Sequence, residues 1–174
     1  WRGQSVAETI AQQGPVSAQI GIMAVILSWL IGLPVGIISA HKQDTLLDYL
    51  TRVPTIVFLA IPAFWLAMVL MVIMVMGFHW FVPLDYALPW DDLKENLSLT
   101  WAPALILGLG QAAVIARMAR SSILEVMRED YVRTALAKGL KAQTVMWRHI
   151  VRNALIPVVT VSSIMLGFVL GGSG

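Results

Sequence analysis

The sequence contains no cysteine, which excludes a disulfide framework and any thiolate metal cluster. Charge is almost as scarce: Asp, Glu, Lys and Arg make up 13% of the 174 residues, against 58% hydrophobic residues, and mean hydropathy is +0.78. A soluble domain of this size carries about 25% charged residues, so water is the wrong solvent for most of the chain. Motifs for catalysis are absent too. The three histidines, His41, His79 and His149, stand alone, no HExxH pair exists, and no GxxxxGK[ST] loop offers a cradle for nucleotide phosphates. The chain is not expected to be an enzyme or to need a cofactor, and any ATP it depends on must be handled by a partner.

What remains is apolar and organised. Four stretches lack Asp, Glu, Lys and Arg altogether: 9–40, 53–78, 96–116 and 153–174. About 20 apolar residues of helix cross a hydrocarbon core of about 30 Å, so each stretch can supply a span. These are placed at residues 16–40, 53–77, 100–119 and 154–170. Before the first span, Ser5 and Glu8 have capping-box spacing and Gly14-Pro15 interrupts the pattern. Residues 1–15 are therefore expected to form a short outer-surface segment with its own helix.

Orientation follows from the basic residues of the connections. The connection between the third and fourth spans holds Arg117, Arg120, Arg128, Arg133, Lys138, Lys141, Arg148 and Arg152, eight of the twelve Lys and Arg, and is assigned to the cytoplasm. The connection after the second span has Lys94 against Asp85, Asp91, Asp92 and Glu95 and faces outward. Beginning at Trp1 and ending in Gly-Gly-Ser-Gly after an apolar run, the sequence is expected to be a segment of a longer chain.

The cytoplasmic connection, 117–153, has a pattern of its own. Glu129 and Asp130 suit a helix N-terminus, Lys138 suits a C-terminus, and Gly139 suits a left-handed cap. A second helical pattern starts near Ala142, with Val145, Met146 and Ile150 on one side and Arg148 and Arg152 on another, and runs to Pro157, which opens the last span. In the first helix Thr134, Ala135 and Ala137 leave the backbone open to close approach. Two readings fit: a docking element for a partner protein, or a basic hairpin lying on anionic lipid.

The stretch RSSILEVMREDYVRTALAKGL, followed by RHIVRNALIPVVT, resembles the cytoplasmic loop of permease subunits of bacterial ABC importers, in the dipeptide, oligopeptide and nickel branch, first-subunit type. GLPVG at 32–36 and IPAFWLAMVL at 61–70 extend the resemblance over nearly the whole chain. In that family the loop carries an EAA motif followed by three residues and Gly, and its first helix docks on the ATPase. The EAA positions fall on Arg133, Thr134 and Ala135, the Gly on Gly139, and the downstream Pro on Pro157; the leading Glu is replaced by Arg133, so no contact of that Glu carries over.

The resemblance implies an all-α polytopic membrane protein of the inner membrane, one permease domain over 1–174. Four transmembrane helices of about six are present, with a cytoplasmic helix-turn-helix coupling loop between the last two. It also implies ATPase coupling through Glu129, Asp130, Tyr131, Arg133, Thr134, Ala135, Ala137, Lys138, Gly139 and Leu140. The implied partners are a second permease subunit in a heterodimer, cytosolic ATP-binding subunits, an extracytoplasmic substrate-binding protein and the lipid bilayer, with no nucleic acid. Peptides lead as cargo, with nickel, glutathione and other solutes open.

Within the spans, Gly32 and Gly36 form a GxxxG pair around Pro34, Gly167 and Gly171 form another, and Gly108 and Gly110 make a smooth patch. Gln111, Thr160, Ser162 and Ser163 are candidates for the translocation path, with hydrogen-bonded packing as the alternative. Pro62 is placed to kink the second span. Two other classes stand beside the importer: an ion-coupled secondary transporter, which needs an ionisable residue within the membrane where these spans have none, and a non-transporting scaffold with a basic lipid-binding loop.

Overall fold

A computed structural model describes residues 6–81 and 88–171, with the side chains of 6–12 and 170 outside that description. The expected cap at Ser5 and the outward Asp85 lie outside the described residues, as does the side chain of Glu8.

Among the described residues every regular element is helical: α1 (Val6–His41), α2 (Leu46–Ala60), α3 (Ala63–Phe78), α4 (Leu93–Val126), α5 (Asp130–Ala137), α6 (Ala142–Val145), a π turn (Met146–Val151) and α7 (Arg152–Gly171). The helices α1 and α4 have 36 and 34 residues, so each is about 50 Å long at 1.5 Å per residue and overshoots a bilayer core of about 30 Å. Among the described residues three helical stretches are long and apolar enough to cross a membrane, or four spans if α2 and α3 are taken as one bent pair.

Four sequence expectations change in the structure. The first helix does not stop at Gly14-Pro15; α1 continues through both Pro15 and Pro34. The second span is broken rather than continuous. Ile61 is extended (φ −81, ψ 124) and caps α2, Pro62 caps α3, and the two axes meet at 102°. The local cause is Pro62: it forces its predecessor out of the α region and has no N–H to continue the helix. The third span continues past Ala119 to Val126, so Arg117 and Arg120 belong to a helix, not a loop. Finally, Pro157 opens nothing. It lies inside α7, downstream of the π turn that joins α6 to α7.

The centre of the molecule is the α1–α4 pair, and glycine permits its closeness. A Cβ on Gly32 would stand 2.6 Å from the carbonyl oxygen of Ala112, and one on Gly36 would stand 2.6 Å from that of Ala116. The facing stripe on α4 is Ala112, Ala113, Ala116 and Ala119, all buried. With lipid outside, no hydrophobic difference drives two apolar helices together, so backbone approach and dispersion contacts must. The second pair, Gly167 and Gly171, has nothing within 4 Å, and neither has Gly110; the packing role belongs to Gly32, Gly36 and Gly108. By contrast α3 buries none of its side chains.

At its N-terminus α4 is capped by Asp92, which accepts from the N–H groups of Lys94 (2.9 Å) and Glu95 (3.0 Å). Reporter fusions at Asp91, just before this helix, and at Lys138, beyond its far end and past α5, should read outside and inside respectively; the same side for both would contradict the membrane arrangement.

Candidate coupling site

The coupling segment is built on the far end of α4. After Val126 the chain turns tightly, with Met127 N–H donating to Ile123 O at 2.9 Å, Arg128 N–H to Glu125 O at 3.0 Å and Glu129 N–H to Val126 O at 3.1 Å. Glu129 caps α5 without a side-chain bond, so it and Asp130 favour the helix start by charge against the positive end of the helix dipole. The helix ends after eight residues for a backbone reason. Gly139 stands at φ +83. Its N–H donates to Leu136 O at 2.9 Å, and that of Leu140 to Ala135 O at 3.3 Å, the pair of bonds that defines a Schellman stop.

Glycine is needed there for its backbone alone, since a Cβ would meet nothing within 4 Å. Gly139→Val adds a strain of about 1 kcal/mol or more at the turn that ends α5. We expect it to lower uptake and ATPase association at unchanged expression; wild-type values for both would mean that the turn is dispensable.

Eight residues are enough to give α5 two faces. Val132, 3% exposed, enters a cluster with Ala40, Ile123, Val145, Met146, Ile150, Val151 and Ala154, and Ala135 packs against the same cluster. Asp130, Arg133, Thr134, Ala137 and Lys138, at the i, i+3, i+4, i+7, i+8 spacing of one helical face, are exposed. Tyr131 is 41% exposed and its hydroxyl accepts from Asn153 Nδ2 at 2.8 Å, which ties α5 to the start of α7. Leu136 and Leu140 are exposed at 45% and 43%. Ala135 therefore faces the chain's own core, whereas the sequence grouped it with the small residues offered to a partner. The Arg133–Asp130 pair at 3.6 Å is wholly on the surface and adds little to stability.

The path candidates are not brought together. Thr160 and Ser163 are exposed on α7 and bond back to their own helix, to Ile156 O at 3.2 Å and Val159 O at 3.0 Å. Ser162 is buried, donates to Val158 O at 2.8 Å and accepts from Trp29 Nε1 at 2.8 Å; it locks α7 to α1. Gln111, on α4, keeps a buried Oε1 with no partner among the described residues.

Two polar clusters went unread in the sequence. Near the start of α4, Gln19 Nε2 donates to Asn96 Oδ1 at 2.5 Å and to Thr100 Oγ1 at 3.4 Å, with Asn96 and Thr100 fully buried between α1 and α4. At the opposite end, Arg120 holds Asp48 through Nε to Oδ1 (3.1 Å) and Nη2 to Oδ2 (2.9 Å), and Ser39 Oγ donates to the same carboxylate at 2.5 Å. The signal for Asp48 was present: a lone carboxylate in TLLDYL, flanked by leucines and tyrosine, has to find a cation if its helix packs. Among the described residues no group of His, Asp and Glu could hold a metal.

Comparison with known proteins matches residues 32–174 to the family described as binding-protein-dependent transport system inner membrane component. The oligopeptide transport system permease protein AppB of Bacillus subtilis (strain 168) is 33% identical over 177 residues, covering 99% of this chain and 55% of that protein. The dipeptide transport system permease protein DppB of Escherichia coli (strain K12) is 33% identical over 193 residues, 97% of this chain and 56% of its own length. DppB of Alkalihalophilus pseudofirmus is 36% identical over 175 residues, 89% and 53% respectively. The chain spans about half the length of the curated relatives it matches. With its charge-free helices, the glycine-packed α1–α4 pair and a short two-faced helix at the basic end of α4, it belongs to the family of binding-protein-dependent transport system inner membrane components.

Proposed function

We propose that the chain is part of the transmembrane subunit of an ATP-driven importer and that α5 is where a cytosolic ATPase docks. One observation carries this reading: α5 is pinned by Val132 and by its Schellman stop, yet presents Asp130, Arg133, Thr134, Ala137 and Lys138 outward. Mixed in charge and with the small Thr134 and Ala137 between its charged residues, that face suits a protein groove better than an anionic lipid surface, which calls for a cationic polar face opposite bulky apolar residues. The sequence supplies no phosphate-binding loop, so hydrolysis falls to the partner. A second permease subunit and an extracytoplasmic binding protein complete the assembly. Cargo is assigned to peptides on the names of the relatives, which are oligopeptide and dipeptide transport permeases.

An ion-coupled mechanism has less to stand on. The buried ionisable pair described above, Asp48 with Arg120, neutralises itself rather than waiting for an ion. Co-purification of the full-length chain tests the proposal: a stable complex with a cytosolic ATPase and a second permease subunit supports it, and recovery of the chain without an ATPase counts against it.

A further inference from the structure

Arg120 lies six residues before the end of α4, and α5 begins four residues beyond that end. Whatever moves α5 therefore reaches Arg120 through continuous helix and one tight turn. From there an ion pair leads sideways to α2. Asp48 is 0% exposed, and its two oxygens accept from Arg120 Nε (3.1 Å), Arg120 Nη2 (2.9 Å), Ser39 Oγ (2.5 Å) and the N–H of Asp44 (3.1 Å). One carboxylate thus joins the ends of α1 and α2 to α4. A two-pronged Arg–carboxylate contact fixes rotation as well as distance, and sliding it apart would strand a buried charge. The three helix ends must move as one block.

That block has one compliant edge. At Ile61-Pro62 the helical bonding of α2 stops and the chain turns by 102° into α3, none of whose side chains is buried. We infer that Asp48, Ser39 and Arg120 are positioning residues that pass displacement of α5 to α2, so that it is released at the Ile61-Pro62 joint as movement of α3 and not lost as slippage between α2 and α4. The inference rests on the ATP-driven reading above.

These 174 residues contain no cysteine, so once any cysteine elsewhere in the complex is replaced by serine, spin labels can be placed on exposed positions alone. In the complete reconstituted complex, pulsed spin-label distances are compared with and without bound ATP. The Leu46→Cys/Ser121→Cys pair should keep its distance, while Leu46→Cys/Phe78→Cys should shift. A separation between positions 46 and 121 on ATP binding, or an unchanged distance from 46 to 78, overturns the inference. The second arm is Asp48→Asn, which leaves every contact of α5 in place. Among assembled complexes, solute moved per ATP hydrolysed should fall by about tenfold or more; a pair that is only a static brace lowers the yield of complex and leaves that ratio unchanged. If Asp48→Asn does not assemble, the label distances on the otherwise native chain still decide. Absence of ATP-driven uptake in the unsubstituted complex would instead remove the functional reading on which the inference stands.

Discussion

Gly36→Leu should abolish accumulation of the folded chain, whereas Gly110→Ala should leave it at or slightly above the wild-type level. The two glycines occupy helices of the same pair and differ in what a side chain would meet. At position 36 even a Cβ would stand 2.6 Å from the Ala116 carbonyl oxygen and 2.8 Å from Ala119 Cβ, and both atoms are held in α4. Neither can retreat without separating the helices along the alanine stripe, which would also loosen the nearby cluster of Ile115, Ala119 and Val158. Overpacking of this kind costs about 3 kcal/mol or more, a large part of the margin by which a membrane helix pair of small residues holds. At position 110 the Cβ meets nothing within 4 Å, and alanine favours helix over glycine by about 0.5–1 kcal/mol. Thermal unfolding of the detergent-solubilised variants, followed by size-exclusion profile, checks both. A wild-type unfolding midpoint for Gly36→Leu would contradict the proposed packing.

The second large effect is expected on α5, at a position that the exposure pattern selects. Ala137→Trp should cut ATPase association by about tenfold to a hundredfold, the equivalent of 1–3 kcal/mol of overpacking in a close-fitting groove, without changing the amount of permease in the membrane. Ala135→Trp should do the reverse. Two residues back along the helix, it points at the cluster of Val132, Val145 and Ile150, so the tryptophan would displace the chain's own core and lower the yield of folded protein. Lys141 and Arg148, both exposed and off the proposed docking face, give the contrast with lipid binding. Neutralising both should weaken attraction to anionic lipid by about 1 kcal/mol per charge and leave ATPase association near wild type. If charge removal proved damaging while Ala137→Trp bound ATPase normally, α5 would be a lipid-facing element after all.

The long helices were legible because lipid imposes a simple rule: a charge-free run long enough to span is a helix that closes its own backbone bonds. The rule says little about where such a helix ends. Arg117 and Arg120 were read as loop because hydropathy falls at the first charge, but α4 continues to Val126 with Arg120 facing a buried carboxylate, and nothing in a hydropathy window tells a paired arginine from a solvated one. Proline misled three times, and besides Pro157, carried inside α7, it did so in opposite directions. Pro15 was read as an interruption and is carried inside α1, while Pro62 was read as a kink and separates two helices at 102°. Its effect depends on whether neighbouring segments hold the chain straight or let it turn, a tertiary matter.

In the coupling segment the stop at Gly139 was readable, since only glycine adopts φ near +83 without strain. The facing of α5 was readable in principle: Val132 and Ala135 share one helical side, and the apolar Val132 identifies that side as the inner one. Grouping Thr134, Ala135 and Ala137 by size alone obscured it.

On the proposed reading, the full-length permease moves solute only while an ATPase is seated on α5. Uptake of a labelled peptide into vesicles containing the full-length permease, its second permease subunit and the ATPase, with binding protein supplied, measures it directly. The account predicts uptake that requires ATP and that is lost in Ala137→Trp at equal permease content. Uptake that persists without ATP, or in Ala137→Trp complexes stripped of ATPase, would contradict it.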